Sequence, residues 1–298
     1  MIVNIIGLGK MGYNLALNMK DKEHEVIAFD LSTENLKKVE KEGIKTVASI
    51  EELFSASQGR KVIWIMVPSG KAVDSVIEQL LPGLNKGDIV IDGGNSHYKD
   101  TLRRAEYLEK MEVNFVDIGT SGGMDGARKG VCAMIGAKEE VFQFIEPLLK
   151  SISVENGYLH TGPVGSGHYA KMVHNGIEYG MMQAIGEGFE IMESSPFEYD
   201  LEKIAKVWNN GSVIRSWLME LTEDLFSKDP KLAELKGVID SSGEGLWTLE
   251  EALELGVPVP VIAESLMTRF RSKQEDSFSG KVVAGLRNEF GGHSIVKK

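Results

Sequence analysis

Short apolar runs alternate with amphipathic stretches through the first half of the chain. Ile2–Ile6 reads as a buried strand, and Tyr13–Met19 carries a helical pattern. Glu25–Phe29 reads as a second strand, ending at Asp30. The alternation continues with a strand at Lys61–Val67, a helix at Lys71–Leu81, a strand at Asp88–Ile91, a helix at Tyr98–Lys110 and a strand at Asn114–Ile118. Val131–Ile135 and Gly157–Leu159 read as further strands. Strands that take turns with helices predict βαβ units. The expected fold is therefore an α/β Rossmann-type N-terminal domain with a mostly parallel, doubly wound sheet, over residues 1–163.

The period changes after the Gly162-Pro163-Val164-Gly165 connection, where a domain junction is expected. From Gly165 to about Ser194 the residues Met172, Val173, Ile177, Met181, Ile185, Phe189 and Met192 keep helical spacing, which predicts a rod about 45 Å long. Gly176, Gly180, Gly186 and Gly188 interrupt it, at roughly 1 kcal/mol each in a helix, so close approach of another helix or a ligand is their expected use. Leu201–Asn209, Ser216–Phe226, Thr248–Leu255 and a long Val261–Phe278 read as further helices. An all-α C-terminal domain over residues 164–298 is the simplest architecture.

The composition narrows the choice of partners. The 298 residues carry a formal net charge of −11, which disfavours nonspecific binding to nucleic acid or anionic membranes. A single cysteine, Cys132, precludes an intrachain disulfide and argues against a cysteine-based zinc site, and the dispersed histidines suggest no metal site at all. The start of the chain lacks the basic residues and length of a secretory signal, and no apolar run reaches membrane-spanning length, so a cytoplasmic protein is expected.

Candidate chemistry starts at Gly7-Leu8-Gly9-Lys10-Met11-Gly12, a G-x-G-x-x-G between a predicted strand and a predicted helix. Such glycines permit a tight turn and close approach of a pyrophosphate to a helix N-terminus. Asp30 falls 21 residues after Gly9, where an acid hydrogen-bonds the adenosine ribose. A carboxylate there repels a 2′-phosphate, and Leu31-Ser32-Thr33 supplies no arginine, so NAD is expected over NADP, with Lys37 and Lys38 able to soften the preference. Three glycine-containing loops end strands at the same predicted edge: Pro68-Ser69-Gly70, Gly93-Gly94-Asn95 and Ser121-Gly122-Gly123. Each alone could be a simple turn. Together, their backbone N–H groups, the Ser121 hydroxyl and the Asn95 amide could hold a carboxylate or hydroxyls. In the long helix, Lys171, His174, Asn175 and Glu178 share one face, an arrangement suited to moving protons. His174 is either a site residue or a capped surface one. The tail Leu286-Arg287-Asn288-Glu289-Phe290-Gly291-Gly292-His293-Ser294 reads either as a frayed end or as a turn offering an anion contact.

These segments together resemble the decarboxylating 6-phosphogluconate dehydrogenases in their shorter form, within the β-hydroxyacid dehydrogenase superfamily. The superfamily is matched by Gly7–Gly12, Thr120-Ser121-Gly122-Gly123, and the spacing of Gly165, Gly167, Lys171 and Asn175. The narrower family is matched by Asp92-Gly93-Gly94-Asn95-Ser96, by Gly167-His168-Tyr169-Ala170-Lys171-Met172-Val173-His174-Asn175-Gly176-Ile177-Glu178-Tyr179, and by Phe290-Gly291-Gly292-His293 after Arg287. The resemblance implies oxidation of 6-phosphogluconate at C3 with reduction of NAD, then loss of CO2 to give ribulose 5-phosphate. It implies Lys171 as general base and Glu178 as the acid that protonates C1. It implies Asn95, Ser121, Gly122, Gly123, His174 and Asn175 at the sugar-acid end, and Tyr179 and Arg269 at the phosphate. Cofactor contacts are implied for Gly7, Leu8, Gly9, Lys10, Met11, Gly12, Asp30, Val67, Pro68, Ser69 and Asn95. Arg287 and His293 would reach the site of a partner subunit, implying a homodimer or homotetramer.

The chain departs from the longer members of that family at Asp240-Ser241-Ser242-Gly243-Glu244-Gly245-Leu246-Trp247, where a lysine and a threonine that contact phosphate are missing. Asp30-Leu31 stands where they commonly carry Asn-Arg, which supports NAD. Two other readings compete. One is a sister dehydrogenase acting on a substrate such as 3-hydroxyisobutyrate, against which Glu178 argues, because simple oxidation needs no acid to protonate an enediol carbon. The other is a non-catalytic NAD-binding regulatory protein on the same fold.

Overall fold

A computed structural model describes residues 1–57 and 59–297. Its compact units are Met1–Asn175 and Gly176–Lys298, and the division falls inside one helix.

The first unit contains β1 (Ile2–Ile6), α1 (Lys10–Asp21), β2 (Glu25–Phe29), α2 (Thr33–Lys41), β3 (Lys45–Thr46), α3 (Ile50–Ala56), β4 (Val62–Ile65) and α4 (Lys71–Leu80). It continues with β5 (Ile89–Asp92), α5 (Tyr98–Glu109), β6 (Asn114–Ser121), α6 (Gly123–Lys129), β7 (Val131–Gly136), α7 (Glu139–Ile152), β8 (Ser153–Gly162) and the start of α8 (Ser166–Glu193). The eight strands form one sheet in the order β3-β2-β1-β4-β5-β6-β7-β8. All pairs are parallel except β6 with β7. That exception has a simple cause. Only Gly122–Gly130 joins Ser121 to Val131, fewer than the dozen or more residues a parallel crossover needs.

Both sheet faces are buried, which is why the strands read as continuous apolar runs. Along β1 and β4, Val3, Ile5, Val62 and Trp64 enter one core, and Ile6, Ile63 and Ile65 the other. Asn4, a polar residue within β1, is satisfied by donating to the Val62 carbonyl at 3.3 Å and accepting from the Ser57 hydroxyl at 2.7 Å. The parallel register of β1, β2, β4, β5 and β6 puts the Gly7–Gly12, Val67–Gly70, Gly93–Asn95 and Ser121–Gly123 segments at one edge of the sheet.

The second unit is helical: the rest of α8, then α9 (Leu201–Asn209), α10 (Trp217–Lys228), α11 (Gly243–Leu255), α12 (Pro260–Ser272) and α13 (Phe278–Gly291). Phe189, Leu201, Ala205, Met219 and Phe226 form its core, with the Phe189 and Phe226 rings 5.1 Å apart. Several expectations are corrected here. The helix expected over Val261–Phe278 ends at Ser272, and a separate helix starts at Phe278, capped by Ser277, which accepts a hydrogen bond from the Gly280 N–H. Leu286–Gly291 therefore belongs to a helix, and only Gly292, at φ +63°, begins a turn. The helix expected from Thr248 starts at Gly243. The glycines of α8 divide in use. A Cβ on Gly176 would meet Thr248 at 2.7 Å and one on Gly180 would meet Val261 at 3.2 Å, whereas among the described residues nothing lies within 4 Å of a Cβ on Gly186 or Gly188.

Candidate active site

The glycine loop is built by sterics. A Cβ on Gly7 (φ +98°) would meet the Met66 carbonyl oxygen at 2.4 Å, and one on Gly12 would meet the Gly7 carbonyl oxygen at 2.0 Å. Gly9 caps α1 and has nothing within 4 Å of a Cβ position. No side chain caps the first turn of α1 and no acid lies in it, so its N–H groups and positive end are left for an anion. Leu8 and Met11 turn their side chains to the core and offer only backbone to a ligand, while Lys10 is exposed. Asp30, at the end of β2, accepts from the Leu8 N–H at 2.5 Å and the Ser32 N–H at 2.7 Å, tying the strand end to the loop. An uncapped helix start, a clear approach over Gly9 and an acid beside the loop fit the pyrophosphate and ribose of a dinucleotide.

The next loops lie along the same edge. A Cβ on Gly94 would be 3.2 Å from the Val67 carbonyl oxygen, so the loop carrying Pro68 and Ser69 and the loop carrying Asn95 are neighbours. Asn95 is exposed. The Asp92 carboxylate accepts from the Gly94 N–H at 3.1 Å and the Ser96 hydroxyl at 2.6 Å, and so shapes that loop.

The start of α8 sits directly on β6 and β7. A Cβ on Gly167 would meet the Met134 carbonyl oxygen at 2.5 Å, the Asp117 carbonyl oxygen at 2.7 Å and the Gly136 nitrogen at 2.8 Å. A Cβ on Gly119 would lie 2.3 Å from Lys171 Cβ, so Lys171 rests on a glycine in the strand. The Asp117 carboxylate accepts from the N–H groups of Gly165 at 2.6 Å and His168 at 2.7 Å, anchoring the helix start. Burial pushes its carboxyl above the ordinary range, against the opposing pull of His168 and those two N–H groups. Lys171 is 6% exposed and Asn175 is 8% exposed. His174 lies 3.2 Å from the Ser121 hydroxyl through Nε2 and 2.9 Å from Asn175 Oδ1 through Nδ1. An Nδ1–H imidazole satisfies both, donating to the amide oxygen and accepting from the hydroxyl. Gly122 (φ +109°) and Gly123 (φ +56°) follow Ser121 at the start of α6.

Sequence reasoning placed α5 as a helix but gave its side chains no role. Arg104 is 2% exposed and its guanidinium donates to Asp74, Asp92, Ser96 and the Gly70 carbonyl. Thr101 pairs with His168. The signal was present in Asp100-Thr101-Leu102-Arg103-Arg104, but nothing local separates the buried arginine from its exposed neighbour Arg103.

In the second unit, Tyr179 and Arg269 come together. The Arg269 guanidinium stacks 3.4 Å from the centre of the Tyr179 ring and donates to the Asp240 carbonyl at 3.0 Å. The Tyr179 hydroxyl lies 3.2 Å from that of Ser242, the residue before α11. Glu178 precedes Tyr179 on α8 and is half-buried. Arg287 and His293 are exposed on α13 and just beyond it, and no hydrogen bond or ion pair joins them to Tyr179 or Arg269 among the described residues. Among the described residues no group of three or more His, Cys, Asp or Glu is placed to hold a metal, and no helix is long and apolar enough to cross a membrane.

A mostly parallel sheet with a glycine-loop cradle, followed by a helical unit, defines a nicotinamide-dinucleotide-binding oxidoreductase fold. Residues 2–162 match the NAD binding domain of 6-phosphogluconate dehydrogenase, and residues 167–289 match the C-terminal domain of the same enzyme. The chain belongs to the 6-phosphogluconate dehydrogenase family. It is 51% identical over 298 residues to YqeC of Bacillus subtilis, covering 100% of both chains; that protein carries the enzyme's name provisionally. It is 42% identical over 300 residues to the NAD(+)-dependent, decarboxylating 6-phosphogluconate dehydrogenase of Haloferax volcanii, covering 100% of this chain and 99% of the relative. The solved Plasmodium falciparum 6-phosphogluconate dehydrogenase, studied with NADP+ and with 6-phosphogluconate, superposes with a TM-score of 0.85 at 30% identity, covering 100% of this chain and 66% of that one.

Proposed function

We propose that the protein oxidises and decarboxylates 6-phosphogluconate to ribulose 5-phosphate and CO2, using NAD in preference to NADP. Residues 1–163 would bind the cofactor, and residues 164–298 the substrate and a second subunit. The observation that carries the reading is Lys171, buried against Gly119 of β6 and followed two turns later on the same helix by Glu178, in a chain of this family.

A nicotinamide cofactor, when bound at the Gly7–Gly12 loop, would supply the hydride acceptor. Lys171 takes the proton from the 3-hydroxyl as the C3 hydride leaves. The resulting 3-keto acid breaks its C1–C2 bond and releases CO2, where C1 is the carboxylate carbon, and the bonding electrons move onto the former carbonyl oxygen. The lysine ammonium returns its proton to that oxygen, which stabilises the developing charge. Glu178 then protonates the enediol carbon left by CO2, which becomes C1 of the product. Ser121, Gly122, Gly123, His174, Asn175 and Asn95 hold the sugar-acid end, with the Ser121–His174–Asn175 chain orienting its donors. Tyr179 and Arg269 receive the phosphate. Arg287 and His293 act on the partner's site in a dimer or larger assembly. Asp30 disfavours a 2′-phosphate by charge, and its backbone bonds hold it beside the glycine loop.

Steady-state reduction of NAD and of NADP with 6-phosphogluconate, and in parallel with 3-hydroxyisobutyrate, tests this, with CO2 trapped in the same runs. Stoichiometric CO2 and NADH from the phosphorylated acid are expected. Turnover only of the unphosphorylated acid, without CO2, would move the chain to a sister activity and remove Glu178 from its role.

A further inference from the structure

We infer that α5 is a brace that holds the dinucleotide-facing loops and the helix bearing Lys171 in one register, with Arg104 and Thr101 as its positioning residues. The inference rests on the dinucleotide reading of the Gly7–Gly12 edge.

The Arg104 guanidinium spans two loops. Nε donates to Asp74 at 2.8 Å and Nη2 to the Gly70 carbonyl at 2.9 Å, on the side of the loop after β4. Nη1 donates to the Ser96 hydroxyl at 3.2 Å and to Asp92 at 3.4 Å, the residues that bound the loop after β5. A planar fork with five donors can serve both loops at once, whereas a lysine ammonium is a single point of attachment. Because β4 and β5 are parallel neighbours, fixing one loop against the other sets the shape of the edge that carries Val67–Ser69 and Asn95.

The N-terminal half of α5 reaches the first turn of α8. Thr101 Oγ1 lies 2.7 Å from His168 Nδ1, the Tyr98 ring meets Tyr169 edge-on at 5.0 Å, and Leu102 lies 2.9 Å from where a Cβ on Gly165 would stand. Among the described residues His168 Nε2 is buried without a hydrogen-bond partner, so the Thr101 hydroxyl is the group that fixes this ring. These contacts end at Tyr169, two residues before Lys171 on the same helix. Thr101 and Arg104 are themselves one turn apart, so a short rigid segment ties the cofactor edge to the base-bearing helix.

The test measures the dissociation constant of NADH by its fluorescence, and kcat with 6-phosphogluconate at saturating NAD. Arg104→Lys keeps the charge that Asp92 needs but loses the fork, and should weaken NADH about tenfold. Thr101→Val should leave NADH binding within about twofold and lower kcat about tenfold. The exposed Arg103, which pairs with the same Asp74, provides the control: Arg103→Ala should change both quantities by less than about twofold. A purely structural arginine would lower thermal stability without this division between binding and turnover. NADH affinity unchanged in a folded Arg104→Lys would overturn the brace, and so would a Thr101→Val that weakens NADH as much as it lowers kcat. Should Arg104→Lys fail to fold, Asp74→Asn replaces it. That change removes the carboxylate orienting Nε and should weaken NADH about threefold; an unchanged value overturns the proposal. Parent protein that binds no NADH would defeat the dinucleotide reading, and the brace with it. Parent protein that binds NADH but does not turn over 6-phosphogluconate would defeat only the assigned reaction, and a weakened Arg104→Lys would still support the brace.

Discussion

Gly167→Ala tests whether the seat of α8 on the sheet sets the geometry of Lys171. The added Cβ would stand 2.5 Å from the Met134 carbonyl oxygen, 2.7 Å from that of Asp117 and 2.8 Å from the Gly136 nitrogen. Ordinary contact begins near 3.4 Å, so the helix start must retreat by about 0.9 Å. The obstructing atoms are backbone of β6 and β7, which have no rotamer to change. Overpacking of this kind costs about 1–3 kcal/mol. The helix-propensity gain of alanine over glycine, about 1 kcal/mol at an interior site, is smaller here because Gly167 is only the second residue of α8. The overpacking wins, and the thermal midpoint should fall by about 2–4 °C per kcal/mol of net loss. The larger effect is on chemistry: Lys171 lies one turn further along, and a displacement near 1 Å costs a reaction of this kind about 100-fold in kcat. The assay is steady-state kcat alongside NADH binding and a thermal melt. Gly188→Ala on the same helix is the comparison, because it faces open space and should stabilise by about 0.5–1 kcal/mol. A Gly167→Ala enzyme with kcat within about threefold of the parent would refute the argument that backbone contact positions the lysine.

Three further outcomes are expected. Glu178→Gln should bind NAD normally and lose most turnover; near-normal turnover would remove it from the acid role. Asp30→Ala should relax discrimination against NADP and also weaken NAD, since the carboxylate holds the Leu8 and Ser32 N–H groups; an unchanged NAD/NADP ratio would mean the acid does not face the ribose. For Asp74, burial works to raise the carboxyl, but the hydrogen bonds and charges of Arg104 and Arg103 outweigh it and hold the group below its ordinary value of 3.8. A depressed carboxyl contributes stability that is present above the unfolded value and lost as pH falls through the folded one. Denaturant titrations should therefore show Asp74→Asn less stable than the parent at neutral pH, with the gap closing below about pH 4. A gap that widens with acid would contradict the sign.

What could be read in the sequence was whatever is local or periodic. The glycine loop was legible because sterics at Gly7 and Gly12 leave no other residue type, and the parallel strands because burial on both faces makes their apolar runs continuous. The helix bearing Lys171, His174 and Asn175 was legible from its period. The overextension of α12 to Phe278 has a local cause too: the polar Lys273–Ser277 segment holds no glycine or proline to mark the helix end at Ser272.

Other features depended on residues distant in sequence. Nothing near Asp117 indicates that it anchors a helix start 48 and 51 residues away, nor does anything near Arg104 indicate that it closes two loops. The pairing of Tyr179 with Arg269 and Ser242 is of the same kind. The sequence by itself determined the element types, the cofactor cradle and the candidate reacting groups, because backbone sterics and hydrophobic period act over a few residues. The tertiary structure alone decided which strand turns antiparallel, which glycines are contacts, and which buried charges hold the site in shape. Those depend on chain closure and on desolvated polar partners, which no local pattern encodes.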